Sequence, residues 1–107
     1  MQIYTYTSEE DKHEIDITFS ATIHAVVKMK FNKVLDKELA VNPYSRELLS
    51  TVVHEFHKKA CKDLEKEAKY DQKQIAENFE VDELLHIYTT IMLERSVRLS
   101  GGMKKAK

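Results

Sequence analysis

From residue 44 to residue 100 the chain contains no glycine and no proline, and only then does it reach the pair Gly101-Gly102. Glycine and proline are the residues that most often interrupt a helix, so an uninterrupted stretch of this length favours helix. The segment ahead of it has a different rhythm. Ile15, Ile17, Phe19, Ala21, Ile23, Ala25, Val27, Met29 and Phe31 hold every odd position, and the even positions from 14 to 32 are polar except Val26. A period of two fits a strand with one face on a core and the other in water.

Ile3, Tyr4, Thr5, Tyr6 and Thr7 form a second β-prone run, and the polar residues 8–13 are enough to return the chain as an antiparallel hairpin. The strand pattern is firm to about residue 20. From there to residue 32 it competes with a helical face made of Ile23, Val26, Val27, Phe31, Val34, Leu35 and Leu39, and strand is the preferred reading. The predicted class is α+β: an N-terminal antiparallel hairpin or small sheet, then a helical hairpin of two long helices with a short connecting helix.

The long helices carry their own punctuation. Ser45 is placed as an N-cap, with Tyr44 set to staple against Leu49, and the stripe Leu48, Leu49, Val52, Val53, Phe56, Ala60, Leu64 and Ala68 predicts a helix over 45–69. Glu55 with Lys59, and Glu65 with Lys69, are spaced for ion pairs on its outer side. Asp71 is the next cap, supported by Gln74 three residues on and by Tyr70 opposite Ile75. A last helix starts at residues 81–83, with Asp82 as its cap, and stops at Gly101.

At 107 residues and 42% hydrophobic content there is room for one core, expected over 1–100 with 101–107 as a flexible basic tail. A single cysteine, Cys61, and a start without a basic, apolar leader point to a cytoplasmic protein. Apolar runs of about three residues are far short of the roughly 20 that cross a bilayer. The net charge of −1 hides a gradient, acidic over residues 1–16 and basic over 94–107.

The last helix is apolar on more than one side. Leu84, Tyr88, Ile91 and Met92 define one stripe, while Leu93 and Val97 lie nearly opposite. In a small domain a second copy of the chain is one way to cover both, so these six residues are the expected homo-oligomer interface. Tyr4 and Tyr6 project from one face of the first strand, and Arg95 and Arg98 lie near the basic end; these four are the candidate contacts for another protein.

Chemistry is thinly signalled. His54, His57 and Cys61 share one arc of a helix and have the donor types zinc prefers, but they supply three ligands where a closed site needs four. Cys61 beside His57, Lys58 and Lys62 could form a thiolate, yet no glycine-bearing turn is available for an oxyanion hole or a phosphate cradle. No cofactor and no catalytic residue is expected.

Residues 72–91 resemble a helix-turn-helix: Ile75 and Ala76 on a short helix, Phe79 before a turn, Val81 after it. Glu80 stands where such turns usually hold glycine, and the early residues of the second helix, Asp82 and Glu83, are acidic. The expected function is therefore a small non-enzymatic interaction or regulatory protein acting as a homo-oligomer. The alternative is a DNA-binding regulator using residues 72–91 and the basic tail.

Overall fold

A computed structural model describes residues 3–10 and 12–106, with side chains as far as Glu94. The fold is α+β, a two-stranded antiparallel sheet followed by five helices. Strands β1 (Tyr4–Thr7) and β2 (Glu14–Ile17) pair with Tyr4 opposite Ile17 and Thr7 opposite Glu14. The buried hydroxyl of Ser8 closes the connection by accepting the backbone N–H groups of Lys12 and His13, each at 3.2 Å. Thr5 donates its hydroxyl to Asp16, its cross-strand neighbour, at 2.7 Å.

The strand ends at Ile17, and the preferred strand reading of residues 21–32 is corrected. Helix α1 (Ile23–Phe31) occupies them, followed by α2 (Leu35–Val41). Ile23 and Val27 are fully buried, whereas Met29 is 87% exposed and Ala21 and Ala25 also face outward. The ambiguity has a simple origin: Ile23, Val27 and Phe31 are four apart, and four is both an even number and close to one helical turn. Residues at that spacing satisfy both periods. Asn32 closes α1 with φ 56°, its N–H bonded to the Lys28 carbonyl, a backbone asparagine accepts more readily than most residues.

Helix α3 (Arg46–Asp63) opens as the sequence predicts, with the Ser45 side chain accepting the Leu48 N–H. Tyr44 remains 64% exposed, so the expected staple onto Leu49 contributes little. The helix stops well short of residue 69. Glu65 adopts φ 58°, its N–H bonds the Lys62 carbonyl and the Lys66 N–H bonds the Cys61 carbonyl, the double closure of a Schellman motif with glutamate in the glycine position. The surface pairs shift accordingly: Lys58 meets Glu55, Lys59 meets Asp63 at 3.0 Å, and Lys66 meets Asp16 across the fold at 2.6 Å. Each of these is worth at most about 1 kcal/mol.

Helix α4 (Gln72–Asn78) has a complete capping box between Asp71 and Gln74. At its far end Arg46 donates to the carbonyls of Ala76 and Phe79, covering acceptors that the helix itself leaves open. Helix α5 (Val81–Ala106) begins after a two-residue turn. Its first N–H partner is not Asp82: Glu83 reaches back to the Glu80 N–H at 2.9 Å. The helix continues through Gly101-Gly102 to Ala106, because extending an existing helix across a glycine costs only about 1 kcal/mol per residue.

One core holds the layers together. Ile15 and Ile17 of the sheet, Ile23 and Val27 of α1, Leu49, Val52 and Phe56 of α3, Ile75 of α4 and Leu84, Ile87 and Ile91 of α5 belong to a single buried cluster. Phe56 lies at its centre, stacked on Tyr88 with ring centroids 6.5 Å apart and tilted toward Phe19 at 6.3 Å.

Candidate interaction surfaces

His57 shows what the first chemical cluster does. Its Nδ1 lies 2.8 Å from the Asp16 carbonyl, which can only accept, so Nδ1 carries the proton. Nε2 is then an acceptor, and it receives the backbone N–H groups of Lys69 at 3.0 Å and Tyr70 at 3.2 Å. One buried imidazole thus ties the loop after α3 to β2. Burial pushes its pKa down, the Asp16 carbonyl opposing only in part, and a neutral ring is what these bonds require.

With both nitrogens engaged, His57 has no lone pair left for a metal and none to take a proton from Cys61. The Cys61 sulfur lies 3.7 Å from each ring nitrogen and is itself buried. His54 is half-buried, its pKa likewise lowered first by burial and then by nearby Lys58. Among the described residues no group of three or more His, Cys, Asp or Glu side chains is placed to hold a metal ion. Serving as a structural joint accounts for the backbone contacts of both His57 ring nitrogens.

A second buried polar group was not legible in the sequence. Glu83, 5% exposed, accepts from the Tyr6 hydroxyl at 3.0 Å, the Glu9 N–H at 2.9 Å and the Glu80 N–H at 2.9 Å. Burial pushes its pKa up, but the Glu80 and Glu9 N–H groups and the Tyr6 hydroxyl outweigh that and hold it below the usual carboxylate value. Tyr6 responds in the opposite sense, pushed up to about 12 by burial and by its bond to Glu83. The only hint was local: an acid three residues into a helix, where it meets the exposed N–H groups of the first turn.

Beside Glu83 a cleft of about 260 Å³ opens between the hairpin loop and the α4–α5 turn. Glu9, Glu10, Glu77 and Glu80 line it with Lys12 and His13, and Lys12 is already paired to Glu10 at 2.9 Å. The cleft is acidic where α5 begins. A helix-turn-helix reader needs positive charge there to meet phosphate. Glu80 has no positive φ, so the α4–α5 turn is not a left-handed one, and Phe79 on its α4 side is extended, with φ −123°.

The tyrosines expected to face a partner are turned inward. Tyr6 is bonded to Glu83 and packs on Phe79 and His86, and Tyr4 rests against the core with its hydroxyl buried and without a hydrogen-bond partner among the described residues. The expected α5 interface also divides. Leu84 and Ile91 are core residues of the chain's own fold and are withdrawn from it, while Tyr88 and Met92 are half-buried. Leu93 stands out at 64% exposure. The side chains of Arg95, Val97 and Arg98 lie outside the described residues.

Further exposed apolar groups appear where no site was predicted. Met29 at 87%, Val41 at 79% and Val34 are solvent-facing on the α1–α2 segment, among exposed Lys28, Lys30 and Lys37. No protein-family model matches this chain, and no curated protein or solved structure matches it either. No helix among the described residues is long and apolar enough to cross a membrane.

Proposed function

We propose that this chain is a small non-enzymatic protein-interaction or regulatory protein that acts as a homo-oligomer. The observation that carries the reading is the outward placement of Leu93 on α5, on the side away from Tyr88, in a fold whose core already encloses Leu84 and Ile91. Self-association removes that leucine from water on both copies. The α1–α2 segment is left for a different protein, and its Met29 and Val41 flanked by lysines suit a surface that is apolar with an acidic rim.

The two side chains best suited to covalent or acid–base work, His57 and Cys61, support the non-enzymatic reading by their engagement and burial. Sedimentation equilibrium of the purified chain tests the assembly. A particle of at least twice the chain mass at micromolar concentration agrees with the reading, and a strict monomer removes its main support. The alternative, a DNA-binding regulator, faces the acidic cleft at the start of α5. Duplex binding that weakens steeply with salt, and is lost on trimming residues 103–107, would favour that alternative instead.

A further inference from the structure

The segment that follows α3 lies across the fold as a strap. Residues 64–69 are exposed along their whole length, and Tyr70 at their end is buried. Among the described residues few polar contacts hold the strap down. Lys66 pairs with Asp16 of β2 at 2.6 Å, on the surface, where solvent screens the pair. The Tyr70 ring packs on His57, His13 and Phe79, with centroids 5.6, 6.1 and 5.8 Å away. The central attachment is His57 itself, whose Nε2 accepts the N–H groups of both Lys69 and Tyr70. Two features work against the closed strap: Glu65 holds a left-handed backbone at φ 58°, and the Tyr70 hydroxyl is buried with no hydrogen-bond partner among the described residues.

We propose that His57 is a proton-operated latch: a proton on Nε2 releases residues 64–70 from the body of the fold while the sheet and the helices packed on it stay folded. The reason is stereochemical. Nδ1 already donates to the Asp16 carbonyl, so a second proton can go only to Nε2, the atom on which the strap hangs. A charged imidazole is a donor at both nitrogens and accepts nothing. The Lys69 and Tyr70 N–H groups then face a third N–H with no acceptor between them, and the strap has to leave to reach water. The groups around the ring do not shelter the charge in place. Burial disfavours it most; Asp16 of β2 favours it but is already held by Lys66 and Thr5, while Lys66 and Lys69 of the strap oppose it. His54 and Cys61 face the ring from α3, and His13 lies beyond Tyr70. Tyr70 is the strap's one contribution to the buried cluster, so the body persists without it. Release also takes an aromatic neighbour from His13, which lines the acidic cleft.

Native-state hydrogen exchange on the full chain, read amide by amide by NMR, tests the latch. Between pH 7 and pH 5.5 the protection of the Lys69 and Tyr70 amides, corrected for intrinsic exchange, should fall about tenfold, because the opened strap leaves an imidazole of ordinary pKa to be protonated. That fall should be the same in low urea, since a local opening exposes little surface. The amides of Val53 and Ile87 in the core should be better protected and sensitive to urea. His57→Gln, whose side-chain oxygen can still accept the strap N–H groups, should keep strap protection nearly constant across that pH range. Strap amides that open only together with Val53 and Ile87, at the same protection and the same urea dependence, would overturn the latch. So would strap protection that ignores pH in the wild-type chain, or that still falls in His57→Gln.

Discussion

The hydroxyl of Tyr6 donates to the carboxylate of Glu83 at 3.0 Å, joining the first strand to the first turn of the last helix across 77 residues of sequence. Glu9 and Glu80 give the same carboxylate their backbone N–H groups, so a single buried acid anchors hairpin, turn and helix together. Tyr6→Phe keeps the ring and removes one of three donors to a charged acceptor. Urea unfolding should show a loss of about 1.5–3 kcal/mol. Glu83→Leu should cost more than Tyr6→Phe, because it abandons two backbone N–H groups as well as the phenol. The pH dependence has a defined sign. A carboxylate held below its usual value contributes stability that is complete above the unfolded value near 4.5 and is lost as pH falls through the folded one.

His57 predicts a second acid sensitivity at higher pH. Its folded pKa lies below the ordinary 6.5, so the unfolded chain binds the proton first and stability falls as pH drops from 6.5 toward the folded value. His54 adds to the same slope. The melting temperature should therefore decline between pH 7 and pH 5 before the carboxylates titrate. In His57→Gln, whose amide can still donate to Asp16 and accept from the loop, the decline should be shallower. An unchanged slope would mean that the imidazole is not held neutral by the fold.

Glu65 offers a stabilising change. It sits at φ 58° where a Schellman closure ordinarily has glycine. A left-handed backbone costs a non-glycine residue about 1–2 kcal/mol, and glycine gives back part of that gain through its unfolded-state freedom. Glu65→Gly should raise stability by about 0.5–1 kcal/mol in urea titration. Asn32→Gly, at a similar φ of 56°, should gain less, because asparagine tolerates that region. Equal gains at both positions would contradict this ordering.

The readable parts of this fold were those fixed by local chemistry. Ser45, Asp71 and Gln74 cap the helices they mark, since a cap is decided within four residues. The hairpin was legible because Ile15 and Ile17 belong to one short alternation with a polar turn before it. Residues 21–32 misled because Ile23 and Val27 fit both periods, and the buried identity of each could be known only from what packs on α1. The end of α3 was hidden for another reason: neither Glu65 nor its neighbours is a helix breaker, and the left-handed turn is held by the loop that His57 captures.

The candidate sites divide along the same line. Spacing placed His57 and Cys61 on one arc correctly, but the Asp16 carbonyl and the Lys69 and Tyr70 N–H groups that occupy the imidazole come from distant segments. Likewise the apolar circumference of α5 was visible as a pattern. Which side the chain covers for itself depends on α3 and the sheet, and that assignment leaves Leu93 outside while Leu84 and Ile91 go in.

Self-association through the outer face of α5 is most directly tested by sedimentation equilibrium of the wild-type chain beside Leu93→Glu and Met29→Glu at micromolar concentration. Both replaced side chains are exposed, so both variants should fold with the wild-type circular dichroism spectrum. The predicted result is a dimeric mass for wild type and Met29→Glu and a monomeric mass for Leu93→Glu. A monomeric wild type, or a Leu93→Glu chain that still sediments as a dimer, would contradict it.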